Sequence, residues 1–296
     1  MTQIEIKKII KAIKASDGAG VKLKRSIGTP EADYIDPFLM LDEFGSENKD
    51  DYVAGFPPHP HRGIETVTYM LNGEFEHQDS TGAKGIMASG DVQWMKTGRG
   101  IIHSEMPAMK EGKLLGFQLW INMPAKLKKN KPEYLYIKGN ELGVHSDKEK
   151  IVKVIAGKFK RAEGPEKNHN VEPIYFHVNL NEGKEFEYEV PPGHNSFIYI
   201  LKGELKIGEK SHSKTAPWAA PAKRKPRTML LMVKASPMNT CALVGQSRFN
   251  YPRFSSCWKP RRRGLGIYEL GAVVSLGRPS CTKGVNATSA HTPSAN

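Results

Sequence analysis

The stretch GFPPHPHRGIETVTYMLNGEFEHQDSTGAKGIMASGDVQWMKTGRGIIHSEMP, residues 55–107, decides the fold expected of this chain. Short runs rich in β-branched and aromatic residues alternate there with turn signals such as Asn72-Gly73 and Ser89-Gly90. This rhythm is typical of an all-β barrel or sandwich. Within the stretch and just after it, strands are predicted over residues 65–71, 73–77, 85–87, 91–95 and 115–122.

Two pairs of metal-ligand side chains stand near the ends of this stretch, His59 with His61 and His103 with Glu105. Side chains two residues apart in a strand share a face, so two such strands facing each other can close a ligand shell around one ion. Imidazole and carboxylate ligands suit iron, manganese, cobalt, nickel, copper or zinc. The alternative is an ordinary loop or surface strand without metal, and Pro60 inside the first pair favours that alternative.

The same stretch closely resembles the signature segment of the pirin family, a branch of the cupin superfamily. The resemblance continues into SIGTPEADYIDPFLMLDEF (residues 26–44) and GFQLWINMP (residues 116–124), and it holds over about residues 4–210. It implies an all-β chain of two cupin-like barrels, of the double-stranded β-helix or jelly-roll type. It also implies a metal held by three histidines and one carboxylate, which here are His59, His61, His103 and Glu105. Glu65 has the position of the general cupin carboxylate ligand and is expected instead to be a structural partner of Arg62.

An internal echo supports two barrels in one chain. YMLNGEFE (residues 69–76) recurs as YILKGELK (residues 199–206), which indicates two copies of one unit. Aligning the copies puts Glu189 and Pro191 where the first copy has its HxH pair. The second barrel is therefore expected to be a scaffold without metal, with His194 as a loop or core residue.

Three segments are predicted from these patterns: an N-terminal barrel with the metal site (residues 1–130), a second barrel without metal (131–250) and a basic, disordered or aberrant tail (251–296). Whether the second barrel is complete stays open, because the resemblance is lost after residue 210. The charge balance changes at the same point: residues 1–210 are neutral, whereas residues 211–296 hold 14 Lys and Arg against one acid. A native divergent ending and a frameshift-like replacement both fit this change.

The composition limits the cellular compartments and binding partners that we expect for this chain. The longest apolar runs, residues 197–201 and 229–233, are five residues each, against roughly 18 to 20 for a membrane span. The first residues lack the apolar core of a secretory signal. The net charge of +13 lies in residues 211–296, where 223–227 and 261–263 are interpreted as a solvated tail. We expect a cytoplasmic monomer, or a nuclear one in a eukaryote, that binds neither membrane nor nucleic acid.

For function, the resemblance implies a metal-dependent dioxygenase that acts on flavonols, of the quercetin 2,3-dioxygenase type, with dioxygen as second substrate. Fe(II) is the expected metal, other transition metals also fit, and Glu105 is the expected catalytic base. A non-catalytic, redox-sensing regulator that binds a protein partner, as a transcription cofactor does, is the alternative. A sugar-isomerase-like cupin fits the ligands but not the segments HPHRGIET and GRGIIHSEMP. Five residues near the site are candidates for shaping its pocket: Trp94, Met95, Met106, Gln118 and Trp120. For the tryptophans and methionines, ordinary core packing is the favoured interpretation.

Overall fold

The structure is a computed structural model that describes residues 6–109, 111–167, 170–191, 194–203 and 205–207, together with the backbone of 227–235, 272–276 and 283–289. Two single-turn 3-10 helices, Lys49–Asp51 and Ala125–Leu127, are the helical elements of these ranges. All the other regular elements there are strands. No helix in the described part of the chain has the length and apolarity needed to cross a membrane.

Twelve strands come from the first half of the chain. They are β1 (Ile6–Lys11), β2 (Ile13–Asp17), β3 (Val21–Ile27), β4 (Phe38–Phe44), β5 (Phe56–His61), β6 (Ile64–Asn72), β7 (Phe75–Asp79), β8 (Lys84–Met87), β9 (Val92–Lys96), β10 (Ile101–Pro107), β11 (Leu115–Asn122) and β12 (Glu133–Ile137). A seven-stranded sheet has the order β12-β9-β6-β11-β4-β3-β2, and a four-stranded sheet has the order β5-β10-β7-β8. Together the two sheets form the first barrel.

The second barrel repeats this plan. Its strands are β13 (Gly143–Ser146), β14 (Lys150–Ala156), β15 (Lys158–Phe159), β16 (Ala162–Glu163), β17 (Ile174–Leu180), β18 (Glu185–Val190), β19 (His194–Lys202), β20 (Leu205–Ile207), β21 (Arg227–Ala235), β22 (Ala272–Leu276) and β23 (Lys283–Ser289). A seven-stranded sheet, β1-β22-β19-β21-β17-β14-β13, accompanies a three-stranded sheet, β18-β23-β20. The all-β, two-barrel expectation is confirmed.

Strand pairing crosses the boundary predicted at residue 130 in both directions. The first strand, β1, pairs with β22 in the large sheet of the second barrel, whereas β12 pairs with β9 in the first barrel. Two strands, β22 and β23, fall within the segment expected to be a disordered or aberrant tail. The basic runs at 223–226 and 261–263 lie outside the described residues. The three predicted segments and the origin of the tail stay predictions.

The echo corresponds to one strand and turn in each barrel. Tyr69 lies on β6 and Tyr199 on β19, each the third of seven strands in its large sheet. The turn that follows contains a glycine with positive φ in both copies, Gly73 at 86° and Gly203 at 82°. Because a left-handed backbone is cheap only for glycine, both copies need that residue at the tight turn.

The two barrels pack through the outer faces of their large sheets, where one apolar cluster contains residues of both halves. The echo tyrosines cross this interface in opposite directions. The Tyr69 hydroxyl bonds His177 Nδ1 on β17 at 2.7 Å, and the Tyr199 hydroxyl donates to Glu43 Oε2 on β4 at 2.7 Å. Polar contacts therefore connect the two barrels in addition to apolar packing.

The period of two along β6 separates the interior of the first barrel from this interface. Val67 and Tyr69 belong to the shared apolar cluster, so Thr68 faces the barrel interior. Glu65 shares the face of Val67, and its Oε2 accepts a 2.7 Å bond from Trp94 Nε1. Glu65 is therefore a buried structural group at the interface, whereas Arg62 is exposed.

Candidate metal centre

The predicted ligands lie on two neighbouring strands of the small sheet. The sequence suggested strands facing each other across the barrel, but β5 and β10 are adjacent and antiparallel. His103 lies directly opposite His59, and His61 lies opposite Ile101. Directly opposed residues of an antiparallel pair have their side chains on one face, so neighbouring strands bring the ligands together as well as facing strands would.

Three histidines converge at this point. The candidate ligand atoms of His59, His61 and His103 all lie within 4.8 Å of one another, an arrangement that can hold a metal ion. His59 Nδ1 lies 2.8 Å from the Pro57 carbonyl oxygen. Because a carbonyl only accepts, Nδ1 carries the proton, and the lone pair of His59 is on Nε2. That nitrogen lies 3.0 Å from His61 Nε2.

His103 gives the strongest indication that the cluster fits a cation. It is 1% exposed, and neither ring nitrogen has a protein hydrogen-bond partner among the described residues. A buried polar atom without a partner is costly, and a metal ligand is one physical reason to keep it. Burial lowers the pKa of His103 to about 2 and that of His61 to about 4, with neighbouring histidines adding to the effect. Both rings are therefore neutral at pH 7, the form that binds metal.

Glu105 lies on the same face of β10, two residues from His103, and is 2% exposed. The structure does not include it in the converging histidine group. Its Oε1 accepts bonds from Thr68 Oγ1 at 2.9 Å and Gln93 Nε2 at 2.8 Å, and its Oε2 accepts from Gln118 Nε2 at 3.2 Å. Burial raises the pKa of Glu105 above its ordinary value, although these hydrogen bonds oppose that rise.

A second buried histidine lies behind His103. His77, on the neighbouring strand β7, has its ring centroid 5.4 Å from that of His103. Its Nε2 bonds Asp79 Oδ2 at 3.0 Å, and Tyr134 of β12 stacks on its ring at 4.3 Å. These contacts make a rigid wall behind the candidate ligand.

A cavity of about 490 Å³ opens onto His59, His61 and Glu105. Its walls include Phe44, Phe56 and Trp120, and the Trp120 ring lies 5.0 Å from that of His61. This volume is within the usual range for small-molecule sites, roughly 300–1,000 Å³. A planar aromatic ligand can therefore lie next to the histidine cluster.

The structure divides the five residues named as candidates for shaping the pocket. Trp94 and Met95 are fully buried, and Met106 is 36% exposed. In contrast, Gln118 and Trp120 line the cavity. The partners of Glu105 were also missed; they are Thr68, Gln93 and Gln118. The available signal was a polar residue at inward positions of otherwise apolar strands, as in TVTYM and VQWMK. His194, expected as a loop or core residue, is the half-buried first residue of β19.

Comparison with known proteins agrees with this geometry. The family profile described as Pirin matches residues 20–121. A pirin-like protein of Caulobacter vibrioides is 46% identical over 202 residues, which cover 68% of this chain and 73% of the relative. A Pseudomonas aeruginosa protein with the provisional name quercetin 2,3-dioxygenase is also 46% identical, over 66% of this chain and 71% of its own length.

Solved structures share the fold. A quercetin 2,3-dioxygenase from Acinetobacter baumannii superimposes with a TM-score of 0.65 at 21% identity, over 94% of this chain and 88% of that chain. The bacterial pirin YhhW from Escherichia coli, solved in complex with nickel(II), gives a TM-score of 0.52 at 18% identity, over 95% of this chain and 96% of that chain. With its signature segments, its two barrels and relatives at this level of identity, the chain belongs to the pirin family.

Proposed function

We propose that this protein is a metal-dependent dioxygenase of the quercetin 2,3-dioxygenase type, which opens a flavonol with dioxygen. The metal we propose is Fe(II), bound by His59, His61, His103 and Glu105. The observation that carries this proposal is His103, a buried ring beside an aromatic-walled cavity whose two nitrogens have no partner in the described part of the chain. The provisional name of the Pseudomonas relative supports the choice of reaction, and the nickel in the Escherichia pirin supports a divalent ion.

The donor set fits such an ion. Three neutral imidazoles and one carboxylate are ligands that iron and the other late transition metals accept, whereas calcium and magnesium prefer oxygen alone. A bound divalent ion supplies a positive centre that lowers the pKa of a hydroxyl held against it. The His59 tautomer is already the one that leaves Nε2 free to bind, because Pro57 fixes the other nitrogen.

The residues around the cavity have separate roles in this proposal. The aromatic walls, Phe44, Phe56 and Trp120, hold the flat ring system and keep water away from it. Glu105 accepts the proton of the flavonol 3-hydroxyl when it loosens from the metal. Gln93 and Gln118 keep the carboxylate at its position.

Oxygen consumption by purified, Fe(II)-loaded protein with quercetin tests this function. We expect oxygen uptake that equals the loss of the flavonol, and a loss of both in His61→Ala. His145→Ala is the matched control, because His145 lies in the second barrel and bonds Asp147 there; it should keep full activity. Uptake by the wild type no greater than that of His61→Ala, with iron bound, would overturn the proposal and favour the regulator alternative.

A further inference from the structure

The charge of the cavity wall limits what the cavity can hold. Three acidic residues line it, Asp17, Asp42 and Glu105, and the described lining residues include no Lys or Arg. The remaining lining is largely apolar or aromatic, with Leu23 and Met40 beside the aromatic rings described above. A cavity of this kind disfavours an anionic substituent away from the histidine cluster, because such a group would enter without a cation to pair with.

The arginine that contacts two of these acids is already neutralised. Arg25, next to the cavity on β3, donates from Nε to Asp42 Oδ1 at 2.8 Å and from Nη2 to Asp42 Oδ2 at 2.6 Å. Its Nη2 also lies 2.7 Å from Asp17 Oδ2. One guanidinium between two carboxylates leaves the group with one net negative charge. A bidentate pair of this geometry does not release its arginine for a passing ligand.

Backbone contacts fix Asp17 in place. Asp17 ends β2, and Ala19 of the following turn donates to the Gly55 carbonyl at 3.1 Å. Gly18 has φ of 59°, and a Cβ there would lie 2.6 Å from both Gly55 O and Phe56 Cδ1. The turn is therefore pressed against the cavity wall at Phe56. The Asp17 side chain is 51% exposed, so its carboxylate lies at the open side of the cavity.

The pKa of Asp17 agrees with a charged carboxylate at the rim. Burial raises the pKa of Asp17, but hydrogen bonds from Arg25 and Gly18 outweigh that effect and hold the pKa below its ordinary value. Burial raises the pKa of Asp42, and the bonds from Arg25 oppose the rise.

Building on the flavonol dioxygenase activity proposed above, we propose that this cavity selects uncharged flavonols and rejects those that carry an anionic substituent, and that Asp17 is the residue that sets the discrimination. Carboxylated, sulfated and glucuronidated flavonols share the disfavoured chemistry. Asp17 acts as a specificity residue through its charge at the entrance, away from the reacting 3-hydroxyl. One negative charge on the ligand, facing the Asp17 carboxylate at a partly solvated rim, is expected to weaken ligand binding about tenfold relative to the uncharged flavonol.

A pair of ligands that differ only in a remote charge tests this. We would load the full-length protein with Zn²⁺, which does not take part in redox chemistry, and titrate it with 3-hydroxyflavone and with its 4′-carboxylate analogue at low salt. Both ligands have the same chelating 3-hydroxyl and carbonyl. The change in ligand absorbance gives the two Kd values without any turnover. We expect the carboxylate to bind about tenfold more weakly, and added salt to narrow the gap.

Two variants separate the local effect from net charge. Asp17→Asn should reduce the gap to about twofold, whereas Asp33→Asn, which removes an exposed acid that is not among the residues lining the cavity, should leave it unchanged. Equal Kd values for the two ligands in the wild type would overturn the inference, and so would equal effects of the two substitutions. These binding results are independent of catalysis. The zinc-loaded protein can bind 3-hydroxyflavone more tightly than its carboxylate while the Fe(II) protein consumes no oxygen. In that case the dioxygenase proposal fails and the charge selection stands.

Discussion

Replacing His103 with leucine should make the metal-free protein more stable while it abolishes the response to metal. His103 is 1% exposed and has two ring nitrogens without protein partners among the described residues. Each buried, unpartnered polar atom costs about 1–3 kcal/mol relative to a satisfied one. Leucine has a similar size and no polar atom, so His103→Leu should raise the free energy of unfolding by about 1–3 kcal/mol when metal is absent.

The assay is the unfolding temperature, measured by calorimetry with a chelator and then with added Fe(II) or Zn²⁺. A gain of 1 kcal/mol corresponds to roughly 2–4 °C in a protein of this size class. The chelated variant should therefore unfold several degrees above the chelated wild type. Metal at about 100 times its Kd should stabilise the wild type by about 2.7 kcal/mol and leave the variant unaffected.

His177→Leu is the matched control for this experiment. His177 is also a buried histidine, at 7% exposure, but its Nδ1 is bonded to the Tyr69 hydroxyl. Its replacement should leave the metal response intact, because His177 lies on β17 of the second barrel. A His103→Leu protein that is less stable than the wild type in chelator would refute the reasoning that the unpartnered ring nitrogens destabilise the metal-free protein. A remaining metal response would refute its role as a ligand.

Three further outcomes follow from the same contacts. Glu105→Gln should retain bound metal, measured by elemental analysis, because the amide of Gln93 can turn to accept a hydrogen bond from the new side chain. The oxygen-uptake rate should fall about a hundredfold, because no general base remains. Loss of metal with normal turnover per bound ion would contradict the role of Glu105 as the base. Burial lowers the pKa of His177 to about 4, below the unfolded value of 6.5, so the unfolded chain binds more protons between these pH values. Stability should accordingly fall by about 2 kcal/mol between pH 7 and pH 5 through this group alone, measured by urea unfolding, and His177→Leu should show a shallower pH dependence. Tyr199→Phe removes the donor to Glu43 and should lower the free energy of unfolding by about 1–2 kcal/mol. Urea unfolding at pH 7 measures this change, and Tyr34→Phe, at an exposed side chain, is the control.

Local periodicity made much of this architecture predictable. Alternation and turn residues located the strands around the histidine motifs, and the echo of Tyr69 at Tyr199 indicated the second barrel. The spacing of His59 with His61 was enough to predict that both side chains share a face. These features depend on residues close in sequence, where the period of a strand acts directly.

The features that were not predictable depend on which strands become neighbours. Gln93 and Gln118 come from β9 and β11, and they reach Glu105 only because the two sheets enclose one interior. Alternation gives the face of a residue but not its partner across the barrel. For the same reason, the pairing of β1 with β22 could not be read from a sequence in which more than 260 residues separate the two strands.

Strand β4 has two faces with different neighbours. Asp42 lines the cavity of the first barrel, and the adjacent Glu43 points the opposite way and accepts the bond from Tyr199 of the second. Strand β4 thus contributes one face to the binding site and the other face to the interface between the two barrels. A substitution in the half without the histidine cluster can therefore alter ligand selection at a distance, so mutational surveys that sample only the amino-terminal half would overlook part of what shapes the chemistry.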